Sequence, residues 1–142
     1  MMKRFSVKAI MCGALVMVVL DLLTGVVSYM VFGGDALQPG ATQDEIRAVA
    51  EQVQQNDTYL LTALLLGTLT TMLGGYVTAR LARQVPLLNA CAFGVVGILV
   101  GVLLSGPGDS PVWFNAIGYL SIIPAAIAGG YLGRRARQSP YQ

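Results

Sequence analysis

The 142 residues carry a formal net charge of only +2; 55% of them are hydrophobic, 11% are charged, and mean hydropathy is +0.66. A soluble globular domain has roughly a quarter of its residues charged, so this balance excludes one. Runs of about 18 or more apolar residues can cross a hydrocarbon layer about 30 Å thick. Four such runs fit here, over residues 7–32, 59–80, 87–105 and 112–133. The expected fold is therefore an all-α integral membrane four-helix bundle, with residues 1–142 as a single membrane domain.

The first run follows Lys3 and Arg4, with Lys8 in its opening turn. A basic start before an apolar stretch resembles a signal peptide. This one is too long for an h-region, carries Asp21 near its middle and lacks a convincing small-residue cleavage site, so it is read as a retained helix. Gly33, Gly34, Pro39 and Gly40 stop it. Within the connection 33–58, Thr42-Gln43-Asp44-Glu45 has capping-box spacing. Ile46, Val49, Ala50 and Val53 follow at i, i+3, i+4 and i+7, predicting a short amphipathic helix over residues 43–55. Such a helix lies on the membrane surface or caps the bundle.

The second run ends in Gly74-Gly75-Tyr76 shortly before Arg80 and Arg83, and a short connection over 82–86 leads into the glycine-rich third run. Gly106-Pro107-Gly108-Asp109-Ser110-Pro111 forms the next turn. Trp113 and Phe114 follow it, level with Tyr29, Phe32 and Tyr59, in the pattern of an interfacial aromatic belt. The fourth run holds Pro124, which removes a backbone donor and predicts a kink. It ends in Gly129-Gly130-Tyr131 before Arg134, Arg135 and Arg137. The recurring Gly-Gly-Tyr suggests two parallel helix hairpins, an arrangement found in transporters with the substrate site at the repeat interface.

If the runs alternate in direction, Lys3, Arg4, Lys8, Arg80, Arg83, Arg134, Arg135 and Arg137 share one side, and Arg47 is the single basic residue on the other. Lys and Arg mark the cytoplasmic face, giving both termini inside. The expected location is the bacterial inner (cytoplasmic) membrane. The expected partners are the lipid bilayer and either a partner membrane protein or a second copy; the basic residues are read as an orientation signal in contact with anionic lipid, not as a nucleic-acid site.

Lipid tails are as apolar as leucine, so helices associate through small residues that let backbones approach. Gly13 and Gly25, Gly67 and Gly75, Gly94 and Gly101, and Ala125 and Gly129 supply one small face per helix. Asp21 falls on the stripe with Gly13 and Gly25, which places it on a packing face. It lies about 20 Å above Lys8 at about 1.5 Å per residue. The same count puts Thr68, Thr71 and Ser121 at its level, with Thr24 one turn away, as its expected partners. None is a cation, so burial favours the neutral acid. Intramembrane acids commonly mark ion or proton pathways; the alternative is a protonated Asp that glues helices, worth on the order of 1 kcal/mol.

The chain has no histidine, which excludes His-ligated metals, bis-His haem, histidine proton relays and Ser-His or Cys-His nucleophile pairs. Cys12 and Cys91 show no ligand spacing and are read as reduced, small packing residues. No metal, cofactor or catalytic residue is expected.

The stretch Gly74-Gly75-Tyr76-Val77-Thr78-Ala79-Arg80, followed by Pro86-Leu87-Leu88-Asn89-Ala90, resembles a broad set of small bacterial inner-membrane proteins with four predicted helices. The resemblance covers the second and third helices and implies location but no activity. Small multidrug transporters offer another four-helix comparison, with an acid in the first helix. Asp21 matches that placement only: it is Asp where they carry Glu, the first loop is longer, and the charge bias opposes dual insertion. Two functions remain: a non-enzymatic structural or accessory subunit of a membrane assembly, which is favoured, and a small homo-oligomeric transporter or channel using Asp21 as its proton- or ion-binding group. A membrane enzyme would need several polar groups converging at one depth, and the sequence offers one carboxyl.

Overall fold

A computed structural model describes residues 5–33, 40, 42–104 and 110–138. Lys3, Arg4, the turn residues 34–39, Ser105 and the Gly106–Asp109 segment lie outside the described residues. The described chain is all helical: α1 Val7–Gly33, α2 Gln43–Gln54, α3 Asp57–Leu81, α4 Pro86–Leu104 and α5 Val112–Gln138. Four of these, α1, α3, α4 and α5, are long and apolar enough to cross a membrane.

The short helix α2 starts where its sequence dictates. The Thr42 hydroxyl accepts from Glu45 N–H, and the Glu45 carboxylate accepts from Thr42 N–H at 2.8 Å. These bonds hold the Glu45 carboxyl below the ordinary glutamate range. Val53 is buried, Val49 and Ala50 are half-buried, and Ile46 is exposed. The Tyr29 hydroxyl donates to the Ile46 carbonyl at 3.2 Å, tying α2 to the end of α1.

In cross-section α1, α3, α5 and α4 form a ring, with α3 also touching α4 across it; among the described residues no Cα of α1 comes within 8 Å of a Cα of α5. The most extensive contact is between α3 and α5, parallel neighbours and not a sequential hairpin. The Gly-Gly-Tyr repeat lies in this crossing. A Cβ on Gly75 would come within 2.9 Å of the Ala126 Cα, one on Gly129 within 2.7 Å of the Met72 carbonyl carbon, and one on Gly133 within 2.5 Å of the Tyr76 carbonyl oxygen. Only glycine permits such backbone approach, which is how small residues drive association in lipid.

Close packing continues through the half of the bundle that carries Arg80, Arg83 and Arg134. Gly13 faces Thr78 and the Gly74 carbonyl, Phe93 is fully buried against Gly74, and Ala126 joins Met17 and Phe93 in the core. The opposite half is looser. A Cβ added at Gly25, Gly67 or Gly118 would meet nothing within 4 Å. Of the residues expected at packing faces, Gly13, Gly75, Gly94, Ala125 and Gly129 are buried and Gly101 sits against Tyr119, while a Cβ added at Gly25 or Gly67 would have open space. The helices touch where Gly129 and Gly75 bring α3 and α5 together, and they are farther apart toward the α2 end. Cys12 is exposed and Cys91 partly buried, so Cys12 is not a packing residue.

Asn89 ties the α3–α4 connection to the start of α1. Asn89 is fully buried; its Oδ1 accepts from Ser6 N–H at 2.7 Å, and its Nδ2 donates to the Gln84 and Val85 carbonyls at 3.0 and 3.1 Å. It thereby joins the start of α1 to a turn in which Val85 has φ +41°, a conformation costly for a β-branched residue. Helix α5 runs unbroken through Pro124.

Candidate functional site

Where the helices part toward the α2 end, all four spans line a cavity of about 420 Å³. Asp21 on α1, Thr68 and Thr71 on α3, and Asn115, Tyr119 and Ser121 on α5 supply its polar atoms, and α4 contributes Gly97, Val100 and Gly101 to the wall. Most of the remaining lining is apolar, including Met17, Leu22, Phe114 and Ile122. No lysine or arginine lines it.

Asp21 is exposed toward this space, in contrast to the packed position its stripe predicts. Ala9, Gly13 and Met17 on the same stripe are buried. The stripe leaves the packed zone between Met17 and Asp21, as the helices diverge.

The carboxyl meets a residue that sequence reasoning missed. Thr70 Oγ1 lies 2.5 Å from Asp21 Oδ1 and 2.9 Å from the Gly67 carbonyl oxygen. Depth counting placed Thr68 and Thr71 at the right level but took α3 to have one small face. It has two. Thr71, Gly75 and Ala79 form one, while Thr70, Gly74 and Thr78, equally spaced at four residues, form another that faces α1. That second stripe was the available signal for Thr70.

The expected partners sit elsewhere in the same neighbourhood. Thr68, Thr71 and Ser121 line the cavity with Asp21, while Thr24 bonds back to its own helix at the Leu20 carbonyl, 2.8 Å away. Thr68 Oγ1 donates to the Leu64 carbonyl at 2.7 Å, Thr71 Oγ1 to Gly67 at 2.7 Å and Ser121 Oγ to Gly118 at 2.8 Å. A hydroxyl has one proton and two acceptor lone pairs. With each proton spent on its own helix, these oxygens offer the cavity lone pairs only. Asp21 and these three hydroxyls offer acceptor oxygens, the Asn115 amide and Tyr119 hydroxyl add groups that can also donate, and no cationic side chain lines the space.

Thr70 adds a proton-counting constraint. Its single hydrogen cannot serve both Gly67 and Asp21. If Thr70 donates to Gly67, as Thr71 does, then Asp21 must carry a proton and donate to Thr70. If Asp21 is ionised, the Thr70 proton turns to it and the Gly67 carbonyl keeps only Thr71. The same heavy-atom arrangement therefore accommodates the pair with one proton or with two.

Among the described residues no three of His, Cys, Asp and Glu come together as metal ligands. In comparisons with known proteins, no family model, curated protein or solved structure matches this chain.

Proposed function

We propose that this chain is a multi-pass protein of a bacterial inner membrane, with both termini cytoplasmic, that binds a proton or small cation in its central cavity as a small self-associating transporter or channel. The observation that carries the reading is the lining: one carboxyl, three hydroxyls bonded back to their own helices, an amide and a phenol, and no cationic side chain, at the meeting point of four apolar helices. Intramembrane acids of this kind are expensive to insert and face cavities or bundle interiors when they work in ion pathways. The basic side chains at one end support the orientation, because Lys and Arg are retained on the cytoplasmic side.

Asp21 would be the titrating group, Thr70 the residue that holds it in either protonation state, and Thr68, Thr71 and Ser121 the acceptors for a partly dehydrated cation. The reading is non-enzymatic, since one carboxyl has no nucleophile or second acid beside it.

The test is flux through purified protein in liposomes, loaded with a pH-sensitive or cation-sensitive dye. Asp21→Asn is near-isosteric and should abolish flux while leaving insertion and assembly unchanged. If that variant conducts like the parent, or the parent moves neither protons nor monovalent cations, the cavity reading falls. The expectation of a structural or accessory subunit then takes its place, and a mild-detergent pull-down with mass spectrometry identifies the partner.

A further inference from the structure

At the opposite end of the bundle, the α3–α4 turn and the end of α5 enclose a second hollow of about 570 Å³. Its charged lining consists of three arginines, Arg83, Arg134 and Arg137, and its edge is Val85, Pro86, Leu87 and Leu88. We propose that this hollow binds the headgroup of an anionic phospholipid, with the guanidinium groups on its phosphate and the Val85–Leu88 edge against the start of its acyl chains.

Three like charges around one hollow repel one another, and nothing described neutralises them. The single ion pair among the described residues, Arg47 with Glu51, is on α2 at the far end. An anion from outside the chain would remove that repulsion. Arg137 is already positioned: its Nη1 donates to the Ala82 carbonyl at 2.6 Å, fixing a guanidinium whose other N–H groups stay available. Planar guanidinium forks suit phosphate oxygens, which they can bind in bidentate fashion. Helix α4 begins at Pro86 in the same wall, so the positive end of its dipole adds to the field.

The apolar edge selects a lipid over a free phosphate. Val85 and Leu88 are 41% and 43% exposed, and they stand at the ends of four membrane-crossing helices, where headgroup gives way to acyl chain. Basic pockets between membrane helices at this level are places where anionic headgroups dock. Arg80, on the same end, is differently employed: its Nη1 donates to the Tyr76 hydroxyl at 2.7 Å and its guanidinium lies 5.9 Å from that ring centre. It is outside the hollow, as is Lys8, which lines a different one beside Cys12 and Leu81, and the two serve as controls.

The experiment compares two double variants of equal charge, Arg83→Gln with Arg134→Gln and Lys8→Gln with Arg80→Gln. The melting temperature of the purified full chain is followed as phosphatidylglycerol, phosphatidylcholine or inorganic phosphate is titrated into the micelles. Phosphatidylglycerol should stabilise the parent and the Lys8/Arg80 double variant at similar mole fractions. The Arg83/Arg134 double variant should need at least tenfold more, and phosphatidylcholine should do little for any of them. Equal weakening in both doubles would reduce the effect to surface charge and overturn the site. Stabilisation by inorganic phosphate matching that by the lipid would make it a free-anion site and overturn the lipid assignment. Should the glutamine pair fail to fold, native mass spectrometry of the parent must still show one phosphatidylglycerol retained after others are stripped, and a parent that retains none ends the proposal.

Discussion

Replacing Gly129 by alanine should damage this protein more than replacing Gly25, although both residues sit at helix positions that sequence patterning marks as packing faces. At Gly129 the new Cβ would collide with the Met72 carbonyl oxygen and lie 2.7 Å from its carbonyl carbon and 3.0 Å from its Cα. All three are backbone atoms on α3, so no rotamer change relieves the clash. Restoring van der Waals distance requires α3 and α5 to separate by about 1 Å, the order of the shortfall from an ordinary contact. That separation also loosens Gly75 against Ala126 and Gly133 against Tyr76. Overpacking of this kind costs about 1–3 kcal/mol, and the spread of the strain along the crossing argues for the upper part of that range. At Gly25 nothing lies within 4 Å of the new Cβ, and alanine is the better helix former by up to about 1 kcal/mol. Reversible unfolding in mixed micelles, followed by helical circular dichroism, measures both. Equal stability of the two variants would refute the account of α3 and α5 as a glycine-dependent crossing.

Other outcomes follow from single contacts. Thr70→Val keeps shape but removes the hydroxyl beside Asp21, so flux should fall while stability changes by about 1 kcal/mol, the ordinary net worth of one hydrogen bond; flux equal to the parent's would dissociate Thr70 from the site. Asn89→Leu strips the bonds joining Ser6 to the Gln84–Val85 turn and should cost about 1–3 kcal/mol by taking the side-chain partner from Ser6 N–H and the Gln84 carbonyl, while the Val85 carbonyl keeps the Leu88 and Asn89 N–H groups; the same unfolding assay reads it. Val85→Gly relieves φ +41° and should be neutral or stabilising by about 1 kcal/mol, relief of backbone strain outweighing the added chain entropy. Glu45 has its pKa lowered in the folded state by its bonds to Thr42, so its contribution to α2 is complete above the ordinary value of 4.5 and lost as pH falls through the folded value. Amide protection factors at Glu45 and Ile46, which remove the intrinsic pH dependence of exchange, should therefore fall on acidification below 4.5, and Glu45→Gln should flatten that fall.

The four spans were legible because length and apolarity alone decide whether a helix can cross hydrocarbon. So was the start of α2, whose cap is built from four consecutive residues. What patterning could not give was which of two small faces on one helix meets which neighbour. Reading α3 through Gly67 and Gly75 alone hid the Thr70–Gly74–Thr78 stripe, and with it the partner of Asp21. Nor could a four-residue spacing say where contact ends. Gly13 and Gly25 look alike in sequence, yet one is buried against Thr78 and the other touches nothing, because helix separation depends on the crossing of α3 and α5 and not on the glycine itself.

That crossing also accounts for where the cavity is. Gly75, Gly129 and Gly133 draw two backbones together at one end of the bundle, and helices that cross closely at one level must diverge at another. The divergence falls at the depth of Asp21, Thr68 and Ser121, so the acid is exposed to a cavity because the close backbone crossing of α3 and α5 lies at another level. The glycines at its own level, Gly67, Gly97, Gly101 and Gly118, line the opening. Pro124 stands between the packed residues Ala125 and Ala126 and the cavity residues Ser121 and Ile122, at the level where α5 passes from contact to opening. Having no N–H, it leaves the Leu120 carbonyl without its usual helical donor. The half of α5 that borders the cavity is thus joined to the packed half by one hydrogen bond fewer than an uninterrupted helix would have. If the spans move when a cation enters, this junction is the place with the least to break.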